Sequence, residues 1–146
     1  MDRKEFVYSC GMACLGTFAF GLLLPGCVSV KMISAEIHGS DMLVPLNAFE
    51  KPDDKKPGFH AYIIAQNESL QYPICIYRLD AQTYTALLMR CTHQGTELQA
   101  FGDRLQCPAH GSEFTNKGEV QSGPASTPLR NFPVIIEQTQ LRLSLK

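Results

Sequence analysis

The sequence predicts an all-β chain. Three observations carry this expectation. Eleven glycines and nine prolines in 146 residues make a turn-rich composition. Short β-branched and aromatic runs recur between turn residues, and Leu141, Leu143 and Leu145 alternate with Arg142, Ser144 and Lys146, a period of two with one face buried. No segment beyond the first thirty residues carries an apolar stripe at helical spacing. The length suits one ordinary domain, and 45% hydrophobic residues allow a real core. A net charge of −1 without a basic stripe excludes nucleic acid as a partner.

Residues 1–30 read as a signal peptide or lipoprotein-type membrane anchor. Asp2, Arg3, Lys4 and Glu5 open the chain with charge, and Tyr8 to Leu24 carries none. Such a segment ending in small residues describes a secretory signal, and it is short for a bilayer span of about 20 apolar residues. An uncleaved membrane helix is the other reading. Leu24-Pro25-Gly26-Cys27 resembles the lipobox of bacterial lipoproteins, with an unusual proline, and makes Cys27 the candidate for acylation. Arg3-Lys4-Glu5-Phe6-Val7 resembles a twin-arginine export signal with lysine in the second arginine's place. Both readings tether the protein to a membrane by its N-terminus and put the globular part outside the cytoplasm, on the periplasmic side of a bacterial membrane.

Residues 31–40 read as a polar tether, and 41–146 as the folded domain. Met42 to Phe49 is a first strand, which Pro45 demotes toward an edge. Glu50 to Gly58 is a charged loop. Phe59 to Gln66, Pro73 to Leu79 and Thr83 to Arg90 are strands separated by polar turns, and Phe132 to Glu137 with Leu141 to Leu145 form a closing hairpin. Cys75, inside Pro73-Ile74-Cys75-Ile76, reads as a small buried hydrophobe. His38 and His60 read as ordinary surface or polar residues.

Between Cys91 and Pro128 the composition changes to Gly, Pro, Thr and Ser, which marks a small subdomain at about 90–128. Cys91-Thr92-His93-Gln94-Gly95 and Cys107-Pro108-Ala109-His110-Gly111-Ser112 lie in it, thirteen residues separating His93 from Cys107. Two soft thiolates and two imidazoles suit a [2Fe–2S] centre with sulfur ligands on one iron and nitrogen ligands on the other. They are also a tetrahedral zinc set. Gly102-Asp103 between Leu98–Phe101 and Arg104–Gln106 is a tight hairpin signal, which brings both motifs to one end. A second hairpin turns at Asn116-Lys117-Gly118, where Gly118 supplies the left-handed residue.

These motifs, with Gly123-Pro124-Ala125, resemble the Rieske iron–sulfur family over most of the body, roughly Met42 to Leu145. The resemblance implies an antiparallel β sandwich with an inserted cluster-binding subdomain and a [2Fe–2S] cluster. It implies Cys91 and Cys107 as ligands of one iron, His93 and His110 as ligands of the other, and Gly123-Pro124-Ala125 as the loop covering the cluster. Quinol-oxidising members also join their loops by a disulfide, whose places here hold Thr96 and Ala109. They donate hydrogen bonds to the cluster sulfurs from a serine and a tyrosine; Ser112 is present, and Phe114 stands in the tyrosine's place. One donor kept and one lost implies a middling potential within the range of about −150 to +300 mV for such centres.

The expected act is one-electron transfer, as an electron carrier or redox subunit and not a stand-alone enzyme. The partner, a redox protein or a quinol, would dock at the cluster tip. The leading reading is a membrane-tethered component of a respiratory chain, similar to the iron–sulfur subunit of a cytochrome bc complex. The alternatives are a ferredoxin serving an oxygenase or other oxidoreductase, and a structural zinc-binding lipoprotein. An oxygenase catalytic subunit is excluded, because the chain has no room for a second, mononuclear iron domain.

Overall fold

The computed structural model describes residues 30–52 and 58–146. The expected anchor, the lipobox-like Cys27 and the export signal lie outside the described residues. Among the described residues no helix is long and apolar enough to cross a membrane.

The strands in chain order are β1 (Met32–Ser34), β2 (Glu36–His38), β3 (Asp41–Pro45), β4 (Glu50–Lys51), β5 (Gly58–Phe59), β6 (Tyr62–Gln66), β7 (Ile74–Arg78) and β8 (Tyr84–Leu88). They continue as β9 (Gln99–Phe101), β10 (Arg104–Gln106), β11 (Glu113–Thr115), β12 (Val120–Ser122), β13 (Asn131–Phe132), β14 (Val134–Ile136) and β15 (Gln140–Ser144). A single 3-10 turn, Leu46–Phe49, follows β3. The main sheets run β1-β6-β7-β8-β13, β14-β15-β3-β2 and β12-β11-β10-β9, with β4 and β5 paired separately. All pairings are antiparallel except β1 with β6.

The centre of the fold is a sheet buried on both faces. Successive strand residues point to opposite sides, so a doubly covered strand must be apolar throughout. Pro73 to Tyr77 are all buried, which accounts for that continuous apolar run. Ile63, Ile76 and Ala86 align across β6, β7 and β8 and face one core, shared with Met42, Val44, Leu141 and Leu143 of the opposing sheet. Ile64, Cys75 and Leu87 align one residue along and face a second core, shared with Leu105 and Phe114 of the small sheet and with Leu98 just before it. The first core is the sandwich, and the second seats the inserted subdomain. Cys75 is the small core residue expected of it, with burial pushing its thiol up to about 12.

Two expectations change. The segment 31–40 is not a plain tether: it contributes β1 and β2 to two sheets. Ile33, Ala35 and Ile37 alternate with Ser34, Glu36 and His38, and Ala35 is buried. β3 is not an edge strand but lies between β15 and β2. Pro45 is tolerated because β2 reaches only as far as Leu43, so the missing N–H falls beyond its partner.

Candidate metal centre

The Gly102-Asp103 hairpin forms with Phe101 opposite Arg104 and Gln99 opposite Gln106. β10 then pairs with β11, and the four-stranded sheet lies on the second core. Cys91 follows β8 and Cys107 follows β10. Both motifs therefore leave the fold at the end opposite the hairpin tip.

The two loops are copies of one turn. In the first, Cys91 N–H donates to Thr96 O at 2.8 Å and Gly95 N–H donates to Cys91 O at 2.8 Å. In the second, Cys107 N–H donates to Ser112 O at 2.8 Å and Gly111 N–H donates to Cys107 O at 3.0 Å. Gly95 and Gly111 have φ of 78° and 76°, a left-handed conformation that side chains resist. The imidazole stands two residues after the cysteine in the first loop and three after it in the second.

The structure brings all four residues to this end. Cys91 and Cys107 are each 2% exposed, in the second core, and neither forms a disulfide. His93 and His110 are exposed above them, with ring centroids 5.1 Å apart and planes at 86°. Burial pushes the Cys107 thiol up, but backbone N–H groups of His110 and Ala109, with the Cys91 and Thr96 side chains, outweigh it and hold the thiol below its ordinary value. A thiolate-stabilising cradle is what a metal ligand needs.

Among the described residues, no three Cys, His, Asp or Glu side chains converge tightly enough to hold one metal ion. The arrangement is instead two pairs, buried sulfur below and exposed nitrogen above. That division fits a two-iron group with different donors on each iron better than a tetrahedral zinc ion.

Ser112 is fully buried, and its hydroxyl oxygen accepts the Ala125 N–H at 3.0 Å. It therefore holds the third loop, Gly123-Pro124-Ala125, against the second. The hydroxyl proton remains free to be donated. Phe114 is also fully buried and supplies no hydroxyl.

Two further contacts carry no sequence motif. Tyr72 Oη donates to Gly95 O at 2.7 Å, pinning the first loop from the turn before β7. Thr92 Oγ1 donates to Thr127 O at 2.7 Å, tying the first loop to the third. His38 pairs with Glu36 at the surface, and His60 lines a separate cavity beside Lys31 and Lys51, so neither belongs to the centre.

A family model described as the Rieske [2Fe-2S] domain matches residues 53–133, more than half of the chain. The cytochrome b6-f complex iron-sulfur subunit of Chlorobaculum tepidum is 35% identical over 63 residues, 42% of this chain and 35% of that protein. The cytochrome b6-f complex iron-sulfur subunit 1 of Synechocystis sp. is 38% identical over 56 residues, 37% of this chain and 32% of that protein. The matches thus span about a third of these relatives' length.

Among solved structures, the plasma membrane Rieske protein PetC3 from Synechocystis PCC 6803 superimposes with a TM-score of 0.51 at 21% identity, over 57% of this chain and 86% of that one. The complex of reduced oxygenase and oxidized ferredoxin in carbazole 1,9a-dioxygenase gives a TM-score of 0.53 at 21% identity, over 73% and 94%. At that identity these likenesses show a shared fold. With the two sulfur-and-imidazole loops and the match over residues 53–133, the chain belongs to the Rieske [2Fe-2S] domain family and binds a [2Fe–2S] cluster, the cofactor of Rieske-type electron transfer.

Proposed function

We propose that this protein is a membrane-tethered electron carrier of a respiratory, cytochrome bc-like chain. Cys91 and Cys107 would hold one iron and His93 and His110 the other. The observation that carries the assignment is the pair of matched turns, which place two buried thiols beneath two exposed imidazoles 5.1 Å apart. The bound cluster would supply one-electron oxidation and reduction. Each exposed imidazole would hold iron through one ring nitrogen and present its other side to solvent, where the partner would dock. Ser112 would donate its hydroxyl proton toward a cluster sulfur, while its oxygen keeps Ala125 in place. Buried Phe114, Leu105 and Leu98 exclude water from the sulfur side.

The tether reading draws support from where the chain enters the fold. Val30 and Lys31 line a cavity of about 520 Å³ with Tyr62, Phe101 and Gly102, at the hairpin-tip end. The candidate ligand loops lie at the other end. An N-terminal anchor on residues 1–30, acylated at Cys27 and exported, would leave the tip free to meet a partner. The domain then begins near residue 30.

A second reading is a ferredoxin delivering electrons to an oxygenase. Thr96 and Ala109, which leave the two loops without a disulfide, favour it.

Iron and sulfide analysis with electron paramagnetic resonance on anaerobically purified protein tests the centre. The expected result is two irons and two sulfides per chain and a reduced signal with nitrogen-ligated features. Colourless, iron-free, folded protein refutes it. Mass spectrometry of the mature N-terminus tests the tether: an acylated Cys27 supports it, and an unprocessed cytoplasmic chain moves the assignment to the ferredoxin.

A further inference from the structure

Beside the first ligand loop lies a cavity of about 380 Å³ lined by Leu88, Arg90, His93, Gln94, Thr127 and Arg130 among others. Two of these side chains are arginines, both on exposed residues. Their placement follows from the sheet. Leu88 N–H donates to Arg130 O at 3.0 Å, so Arg130 stands beside the end of β8, two residues before Arg90. Arg90 N–H donates to Leu88 O at 2.8 Å, a tight turn just past β8, and both residues line the cavity.

Neither guanidinium forms an ion pair among the described residues. Arg130 donates to Leu145 O at 2.8 Å and lies 4.7 Å from the Phe132 ring centroid. Arg90 lies 5.9 Å from the Tyr72 ring centroid. Neutral partners thus hold both groups in position without cancelling their charge. Glu97 pairs with Arg90 through the backbone only and lines a neighbouring cavity of about 310 Å³ with Glu68 and Tyr72. Tyr72 in turn bonds Gly95, which lines the first cavity. The tip itself, Thr92 to Gly95 and Pro108 to Ser112, carries no formal charge with its histidines neutral. Around it, Arg90 and Arg130 line one cavity and Glu68 and Glu97 line the next, with Glu97 directly across the bridge from Arg90.

We infer that Arg90 and Arg130 form a docking cleft for carboxylates of an acidic electron-transfer protein, which reads the His93 side of the tip. The inference rests on the proposed exit of electrons at the imidazoles. A neutral quinol would gain nothing from two cations that form no ion pair among the described residues. A protein surface bearing carboxylates gains steered encounter and a fixed orientation. The acidic flank at Glu97 and Glu68 repels the same carboxylates and so sets which way round the partner sits.

The test uses the reduced holoprotein and two small oxidants of opposite charge, ferricyanide and hexaammineruthenium(III), followed by stopped flow. A trivalent anion about 10 Å from one arginine gains enough Coulomb energy, screened at 10 mM salt, to change the rate about fourfold. Arg90→Gln and Arg130→Gln should each slow ferricyanide by about that factor and speed hexaammineruthenium. At 1 M salt both effects should fall to about a tenth of the rate or less. Glu97→Gln should speed ferricyanide. Arg90→Lys and Arg130→Lys keep the charge and should keep the wild-type rate, which separates charge from lost packing on Phe132.

Hexacyanocobaltate(III), redox-inert and of the same charge as ferricyanide, should bind by calorimetry and lose affinity in the glutamine variants. Equal ferricyanide rates in wild type and both glutamine variants at 10 mM salt overturn the cleft while leaving the metal centre standing. Absence of the iron–sulfur signal overturns the centre itself, and the calorimetry then decides on the cleft alone.

Discussion

Replacing Ser112 by alanine should weaken two things at once, and the structure gives a size for each. The Ser112 oxygen accepts the Ala125 N–H at 3.0 Å, and both residues are buried. Alanine leaves that N–H without a partner, which costs about 1–3 kcal/mol. A domain of this size loses a few degrees of melting temperature per kcal/mol, so Tm should fall by at least about 4 °C. The second effect is electronic. A hydrogen bond to a charged acceptor is roughly twice as strong as one to a neutral acceptor, so the proposed Ser112 donation would favour the reduced form by about 1 kcal/mol. About 1.4 kcal/mol corresponds to about 59 mV for one electron, so the potential should fall by about 40 mV. Film voltammetry and thermal unfolding of the same preparation read both quantities. A fall in Tm with an unchanged potential would restrict Ser112 to holding the third loop. An unchanged Tm would refute the claim that Ala125 depends on it.

Phe114→Tyr should raise the potential, since Phe114 shares a core with Cys91 and Cys107 and occupies the family's tyrosine place; no change or a fall in voltammetry refutes this. Cys75 titrates near 12 in the fold against about 9 when exposed, so its contribution is fully present below pH 9 and lost as pH rises toward 12. Each pH unit in that window should remove about 1.4 kcal/mol, and Cys75→Ala should flatten the alkaline limb of a denaturant-unfolding series. Gly118→Ala should destabilise the fold by about 1–3 kcal/mol in the same assay, because φ is 84° and the added Cβ would lie 2.9 Å from Leu87 Cδ2. Tyr72→Phe should speed cluster loss in chelator without changing the far-ultraviolet circular dichroism, because it removes only the 2.7 Å bond to Gly95 O.

What could be read in the sequence was what local chemistry determines. The Gly102-Asp103 and Gly118 turns, with φ of 58° and 84°, specify their hairpins within a few residues, and the first of these implies that Cys91 and Cys107 share one end. The closing hairpin follows from strict alternation, with Leu141 and Leu143 fully buried. β1 escaped because its stability comes from pairing Met32–Ser34 with Ile64–Gln66, about thirty residues away, and a strand of three residues is a weak local signal. Tyr72, Arg90 and Arg130 were illegible for the same reason. Nothing near Tyr72 marks its contact with Gly95, nothing near Arg130 marks a cavity shared with His93, and Arg90, though next to Cys91, carries no sign of its pairing with Arg130 there.

The loops also show how the site holds together without the disulfide of quinol-oxidising relatives. Three bonds span its parts: Tyr72 to Gly95, Thr92 to Thr127, and Ser112 to Ala125. At about 1 kcal/mol each they sum to roughly 3 kcal/mol, comparable to the 2–4 kcal/mol of a typical disulfide. The two solutions differ in kind. A disulfide constrains the unfolded chain, whereas these bonds act only once the loops are in place. They run from the turn before β7 to loop one, from loop one to loop three, and from loop three to loop two. Each therefore depends on its neighbour's position, and loosening any one frees the next. With the proposed ligation at Cys91, His93, Cys107 and His110, stability of the tip would be coupled to the bound group, which would join loops one and two directly. Removing iron from wild type should therefore open all three loops together, and amide exchange at Gly95, Gly111 and Ala125 should rise as one cooperative unit while exchange at Ile76 and Leu143 in the sandwich stays slow.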